Sequence, residues 1–254
     1  MKDISLRWIF RVFLLLLLFF TAQINYAQPA TTTAQKDTLH DDFDIRNSSF
    51  LLLQPLPKGK YYQNVSIQYV VVPKDWTTSI ISAPMLSYAG KYTLPYGFNL
   101  QASLATLFIS YRLNLGPFWN YTVDHYHFGA GYQVAFNYGF LNQFGFKTNL
   151  TIWEQQPSIA AGYSFKKAAI TVRGDLYWTN SIYQTQGGHT VPYTTSFING
   201  YSITTALEQR LWKNRLMSFA VKLGYLRYHI IAWPAFPVNQ YRYWVPEFHL
   251  GLSF

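Results

Sequence analysis

The feature that most constrains this chain is a two-residue alternation of side-chain character. From Gly129 to Leu141, the even positions hold Ala, Tyr, Val, Phe, Tyr and Phe, whereas the odd positions hold Gly, Gly, Gln, Ala, Asn, Gly and Leu. Successive side chains of a β-strand point to opposite faces, so this pattern predicts a strand with one bulky apolar face and one small or polar face.

The same alternation recurs along most of the chain and predicts ten strands. They span residues 62–72, 78–89, 97–113, 126–139, 144–153, 158–165, 168–180, 195–211, 216–232 and 243–254. In the stretch 144–153, the apolar set of Phe144, Phe146, Leu150 and Ile152 is assigned to the outer face, which places Lys147 inside. Tight turns at 166–167 and 213–214 contrast with longer connections at 114–125, 181–194 and 233–242, an arrangement typical of outer-membrane barrels.

Composition indicates which face is inside. Only 12% of the residues are charged, against about 25% in a typical soluble domain, while 19% are aromatic. The small face is built from Gly, Ala, Ser, Asn and Gln, which suits a narrow lumen better than a water-covered surface. The predicted fold is therefore all-β, a transmembrane antiparallel up-and-down β-barrel of about ten strands, with eight to twelve compatible with the pattern. The alternative is a soluble β-barrel with its apolar face buried.

The N-terminal region has the features of an export signal. Residues 1–27 combine Lys2, Arg7 and Arg11 with an apolar run that is too short to span a bilayer, and end in small and polar residues before Gln28. Residues 28–60 are interpreted as a polar periplasmic leader and 61–254 as the barrel. The chain has no cysteine, which excludes disulfides, and its +9 formal charge forms no basic stripe, so no nucleic-acid partner is expected.

The C-terminal stretch 243–254 resembles the last strand of bacterial outer-membrane β-barrel proteins. That family commonly ends on an aromatic residue preceded by alternating apolar residues, here Phe248, Leu250, Leu252 and Phe254. The resemblance implies a location in the outer membrane, recognition of these residues by the barrel-assembly machinery, and closure against the first strand. The Ala27-Gln28 junction and the aromatic-rich strands are also similar to barrels of the Bacteroidota.

Several ionisable residues fall on the predicted inner face. They are Lys147, Arg173, Asp175, Glu208, Arg210, Lys222, Glu247 and His249. Arg173 with Asp175 and Glu208 with Arg210 lie on neighbouring predicted strands, where opposite charges favour pairing across the ladder. We interpret this charge network as a filling of the lumen. The alternative is a narrow channel whose charges select solutes.

The function favoured by these features is a non-enzymatic outer-membrane barrel, acting as a narrow channel or as a structural or interaction barrel. A lipid-modifying barrel enzyme is an alternative, and it would use His125 or His127, predicted at the outward end of the fourth strand, or His249. No serine stands in a nucleophile motif, so no catalytic residue is assigned, and no metal or cofactor is expected. A third alternative is an adhesion barrel that binds through residues 181–194.

Overall fold

The computed structural model describes residues 43–54, 58–77, 81–143, 146–190, 194–212, 215–232 and 241–254. The predicted signal segment 1–27, the leader before residue 43 and most of the connection 233–242, including Trp233, lie outside the described residues. Among the described residues, no helix has the length and apolar character that crossing a membrane requires.

The described chain consists almost entirely of strands. They are β1 (Tyr61–Val72), β2 (Ile81–Thr93), β3 (Phe98–Thr106), β4 (Ser110–Val123), β5 (Tyr126–Gln143), β6 (Phe146–Ser164), β7 (Ala168–Gln186), β8 (His189–Thr190), β9 (Thr194–Trp212), β10 (Arg215–Leu226) and β11 (Tyr243–Ser253). One α-helical turn (Lys74–Thr77) and the 3-10 turns Ile45–Asn47, Pro95–Gly97 and Ile230–Ala232 complete the described elements.

Neighbouring strands pair antiparallel around a closed ring. Each long strand pairs with the next, β7 pairs with β9, and β11 pairs with β1 through Asn64↔Ser253 and Val70↔Glu247. The two-residue β8 only extends the edge of β7. The prediction of a closed, ten-stranded antiparallel up-and-down barrel is therefore confirmed.

Two of the predicted boundaries are wrong in ways that offset each other in the strand count. The predicted strand 97–113 is the hairpin β3–β4, whose turn places Phe108 at a φ of 55° without any glycine or asparagine to signal it. The predicted loop 114–125 is consequently mostly β4. Conversely, the predicted strands 144–153 and 158–165 are one strand, β6, which continues through Glu154-Gln155-Gln156-Pro157 with a shift of its register against β7 after Trp153.

Pro157 is tolerated inside β6 because of where its missing N–H falls. Pro157 pairs with Tyr132 on β5. Against β7, however, the register passes from Gln155↔Trp178 directly to Ser158↔Asp175, so Pro157 has no partner there. Proline in a strand is confined to positions where no ladder donor is needed. The polar run therefore continues the wall of the barrel, and its even-numbered residues face inward.

We call the end of the barrel that carries Tyr61 and Phe254 the terminal rim, and the opposite end the distal rim. Aromatic side chains gather on the outer surface near both. Toward the distal rim, ring contacts join Phe136 to Trp153 at 4.8 Å and Tyr225 to Trp244 at 5.0 Å between ring centroids. Toward the terminal rim, they join Trp119 to Tyr121 at 6.0 Å. Bulky residues face outward on these strands, as predicted.

The barrel wall is taller on one side than on the other. Strands β5, β6, β7 and β9 have 18 or 19 residues, whereas β3 has 9 and β11 has 11. Beyond the distal aromatic row, β6 presents Leu150 and Ile152 to the interior and Lys147 to the outside. The orientation predicted for 144–153 is therefore wrong, because the tall wall turns its apolar residues toward an interior cap at this height.

Candidate functional site: the lumen and its two seals

The middle of the lumen holds a buried ion pair between Arg112 of β4 and Glu154 of β6. The guanidinium lies 2.9 Å from a Glu154 carboxylate oxygen, and Glu154 is fully buried. The other donors to this carboxylate are Asn137, Thr179 and Asn199, each at 3.2 Å. A buried charge requires this degree of hydrogen bonding to be stable.

A second ion pair, Arg173 with Asp175, is connected to the first. Both residues lie on β7, and Arg173 Nε is 2.8 Å from Asp175 Oδ1. Gln156 donates to Asp175 at 3.0 Å and accepts from Arg112 at 3.3 Å, so its amide bridges the two pairs. Arg173 also donates to Gln133 and Ser158. The predicted pairing of Arg173 and Asp175 with Glu208 and Arg210 does not form, because Arg173 lies opposite Thr204 in the register.

The third charged group lies on β10, on β11 and in the connection that follows β10. Lys222 Nζ is 2.7 Å from Glu247 Oε1, and the imidazoles of His229 and His249 lie 3.4 and 3.5 Å from the same carboxylate. Glu247 is buried. β10, β11 and the connection that follows β10 therefore bring one acid and three basic or titratable groups together.

Tyr177 of β7 lies between cations from two different walls. Its ring centroid is 5.5 Å from the guanidinium carbon of Arg112 on β4 and 5.4 Å from Nζ of Lys222 on β10. Cations at this range from an aromatic face are attracted by the ring quadrupole. The lumen is therefore crossed by side chains at this height.

The terminal end of the lumen is filled by residues 43–54 of the chain itself, the terminal plug. Glu208 of β9 accepts hydrogen bonds from the hydroxyl of Ser49 and from the backbone N–H groups of Phe50 (3.1 Å) and Leu51 (2.9 Å). From β2, Lys91 Nζ donates to the carbonyl oxygens of Ser49 (3.1 Å) and Phe50 (2.8 Å). A buried acid and a buried base on separate walls thus hold one short peptide.

Apolar contacts add to this polar clamp. Ile45 and Leu52 are buried in a cluster with Phe43, Ala169 and Leu216, and Leu53 packs with Phe118 and Ala160. This part of the predicted polar leader is therefore folded inside the barrel, because it carries the apolar residues Phe43, Ile45 and the run 50–53, several of which are buried. At its start, Asp44 caps the 3-10 turn, and the Arg46 guanidinium at 2.6 Å holds the pKa of the Asp44 carboxyl below its usual value.

An apolar cluster, the distal cap, lies at the distal end of the lumen. Strand residues such as Leu150, Ile152 and Ile182 pack there against side chains of the connections that follow β1 and β10. Those connection residues are Trp76, Tyr228, Ile230 and Ile231, all buried. Between cap and plug lies a cavity of about 260 Å³. Its charged lining residues are Arg112, Arg173, Asp175, Lys222, Glu247 and the titratable His229 and His249.

His127 is hydrogen-bonded to a serine, but it lies in a closed environment. Its Nε2 is 3.0 Å from Ser164 Oγ and its Nδ1 is 2.9 Å from Thr122 Oγ1. A nucleophile and a base have this spacing in hydrolases. Here, however, His127 and Ser164 are both buried and face the lumen. The His127–Ser164 pair lies near the terminal rim and not near the distal rim.

His125 and His127 lie two residues apart at the end of one predicted strand, a spacing that predicts a shared face. That prediction is wrong, because His125 lies in the turn after Asp124. Asp124 has a φ of 53°, and His125 is exposed and bonds to the Ser164 carbonyl. Among the described residues, no group of three potential ligands is arranged to hold a metal ion.

The remaining predicted residues are distributed between the interior and the outer surface. Arg173, Asp175, Glu208, Lys222, Glu247 and His249 face the interior, and the Arg210 guanidinium lies 4.2 Å from the Phe43 ring in the plug. Lys147 stands outside this network. Leu250, Leu252 and Phe254 are exposed on the outer face and Phe248 is half-buried; their recognition by assembly machinery stays a prediction.

Sequence reasoning missed Lys91, Arg112 and Glu154. Extending the alternation from Ser87 through Ala89 places Lys91 inside, so that residue was within reach of the pattern. Arg112 follows the unsignalled turn at Phe108, and Glu154 lies in a run that resembles a loop.

No family model matches the chain, and no curated protein matches it. Among solved structures, Neisserial surface protein A has a TM-score of 0.37 at 14% identity, covering 76% of this chain and 95% of that one. The KdgM porin has a TM-score of 0.35 at 9% identity (75% and 98% covered), and the Pseudomonas putida toluene transporter TodX has 0.36 at 10% (82% and 91%). Likeness at these scores carries no argument about role, and the fold rests on the strand pairing itself.

Proposed function

We propose that this chain is an integral outer-membrane β-barrel with a closed lumen, serving as a structural or interaction barrel and not as an open pore. The location is supported by the outer surface, where rows of Trp, Tyr and Phe border a belt of exposed Leu, Ile and Val. Water does not favour so much exposed apolar surface, whereas hydrocarbon does.

The closed lumen is supported most strongly by the terminal plug. Glu208 and Lys91 bind the peptide of Ser49 and Phe50 from β9 and β2, and the apolar side chains of the plug pack against the barrel wall. The distal cap and the crossed charges at Tyr177 add two further obstructions along the axis. Three consecutive layers oppose ion flow more than any single salt bridge would.

Planar-bilayer recording tests this proposal. The protein is refolded, and its folded state is verified by heat-modifiable migration in gel electrophoresis. We expect no stable unitary currents from the wild type or from Arg112→Lys, which keeps the charge. Stable unitary currents from the folded wild type whose size changes in Arg112→Ala would contradict the closed lumen and favour a narrow channel. Recovery of the native protein in the soluble fraction would contradict the membrane location.

A further inference from the structure

Two adjacent turns on the terminal rim form a surface that the closed barrel does not explain. The β6–β7 turn carries Phe165, Lys166 and Lys167, and the facing ends of β9 and β10 carry Trp212 and Arg215. The two turns are held together, because the Arg210 N–H donates to the Lys167 carbonyl at 3.0 Å and Ala168 pairs with Gln209. We call Phe165, Lys166, Lys167, Trp212 and Arg215 the rim patch.

The aromatic residues of the rim patch lie on the outside of the barrel. Phe165 is 49% exposed and Trp212 is 47% exposed, next to Leu211 at 44%. Phe165 contacts Tyr163 at 4.9 Å, which continues the row of rings along the wall. Aromatic rings favour the boundary between hydrocarbon and headgroups, so this surface lies at that depth in a membrane.

The cations of the rim patch lie at the same boundary. Lys166, Lys167 and Arg215 are exposed, and the Arg215 guanidinium carbon lies 5.6 Å from the Trp212 ring centroid. Glu208, the acid closest to the patch in sequence on β9, is buried, and its oxygens accept from the plug and Ser253. The described residues of these two turns include no exposed acid. The nearby Asp44, whose neighbour Ile45 donates to the Lys166 carbonyl, is paired with Arg46, so the exposed cations give this surface a net positive charge.

We propose that the rim patch binds the phosphate headgroup of an anionic phospholipid in the surrounding leaflet. This inference rests on the proposed membrane location. Lysine and arginine bind phosphate through charge-assisted hydrogen bonds, and the neighbouring rings place the same molecule's glycerol and acyl chains against an apolar surface. An acidic soluble partner would match the charge, but it would gain nothing from rings on the lipid-facing wall.

Native mass spectrometry of the full-length protein in detergent tests this binding. The protein is titrated with phosphatidylglycerol or with phosphatidylcholine of identical acyl chains. Each basic residue near an anionic surface contributes a factor of about five in affinity, so we expect phosphatidylglycerol to bind at least about tenfold more tightly. The variant Lys166→Gln/Lys167→Gln/Arg215→Gln is expected to lose this preference. The control Lys58→Gln/Lys60→Gln/Lys74→Gln removes three other exposed charges and is expected to keep it.

Three results would overturn the rim patch. One is equal binding of both lipids by the wild type, and another is an unchanged preference in the rim-patch variant. The third is tighter binding of a soluble acidic polymer, such as polyglutamate, than of phosphatidylglycerol, since that result would favour an acidic macromolecule. A protein that folds in water without detergent would instead contradict the proposed membrane location, so the two failures are distinguishable.

Discussion

Lys91 and Glu208 bind the same residue from β2 and β9, on separate walls of the barrel. The Lys91 ammonium lies 2.8 Å from the Phe50 carbonyl oxygen, and a Glu208 carboxylate oxygen lies 3.1 Å from the Phe50 nitrogen. Both side chains are almost fully buried. The plug is therefore bound by charge-assisted hydrogen bonds inside the barrel and not only by contact with its wall.

Removing the charge of Glu208 is expected to loosen the plug. Each hydrogen bond to a charged group contributes about 1.5–3 kcal/mol, so Glu208→Gln is expected to open the plug at least about tenfold more often. The chain has no cysteine, so Leu52→Cys introduces a single thiol that reports opening by its rate of maleimide labelling. Glu247→Gln is the matched control, since it removes a buried lumen carboxylate that does not contact the plug. Equal labelling rates in both variants would contradict the clamp.

Breaking the Arg112–Glu154 pair is expected to destabilise the whole barrel. Leaving one member of a buried pair without its partner costs about 3–5 kcal/mol. Without Arg112, Glu154 would keep its three neutral hydrogen-bond donors but would lose the cation that balances its charge. We expect Arg112→Met to lower the free energy of unfolding in urea by that amount. The double variant Arg112→Met/Glu154→Gln is expected to recover part of the loss. Additive losses in this double-mutant cycle would show that the two residues do not interact.

Gly200 is expected to be essential for folding, because the backbones of β9 and β10 approach closely there. Gly200 also borders a β-bulge, where the register between β7 and β9 shifts from Tyr177↔Gly200 to Trp178↔Ile198. A Cβ at this position would overlap the Tyr225 carbonyl, which is backbone and cannot rotate away. Gly200→Ala is therefore expected to reduce the folded fraction sharply in a gel-shift refolding assay. Gly174→Ala is the control, since its Cβ would lie 3.8 Å from Ile159, an ordinary contact. Normal folding of Gly200→Ala would contradict the close approach of the two backbones.

Asp44 is expected to make the plug sensitive to acid. Because Arg46 lowers the folded-state pKa of Asp44, this group stabilises the fold above its unfolded pKa and loses that contribution as the pH falls through the lower folded value. Asp44→Asn is therefore expected to have a lower melting temperature than the wild type at pH 6, and the difference is expected to shrink progressively as the pH falls below 3.8, the ordinary pKa of Asp. A constant difference across this range would contradict a role for the Asp44 charge.

The alternation of side chains predicted the barrel and most of its inner and outer faces, because a strand with two different environments must alternate. It failed where the environment changes along one strand. Leu150 and Ile152 are apolar and buried under the distal cap, whereas Glu154 and Gln156, on the same face of β6, line the polar lumen. The rule that apolar residues face outward and polar residues face inward therefore holds in the polar lumen but not beneath the apolar cap.

The functional site was less predictable than the fold. The plug depends on pairing between a short N-terminal segment and residues far away in sequence, such as Ser49 and Glu208, and no local pattern encodes that contact. The β3–β4 turn at Phe108 contains no residue typical of turns. The sequence therefore does not indicate that a new strand begins there or that Arg112 faces inward. Buried charged partners such as Arg112 and Glu154 are far apart in the sequence, and only the pairing register of the strands shows which of them are in contact.

The direct test of the account compares two adjacent residues of β9, Ser202 and Ile203. Ser202 is buried inside the barrel and Ile203 is exposed on its outer belt. Nitroxide labels are attached at single cysteines in the protein reconstituted into lipid vesicles, and their collision rates with oxygen and with a water-soluble nickel complex are measured by electron paramagnetic resonance. The account predicts that the label at 203 meets oxygen freely and the nickel complex hardly at all, while the label at 202 is shielded from both. A label at 203 that is accessible to nickel and poor in oxygen contact would contradict it.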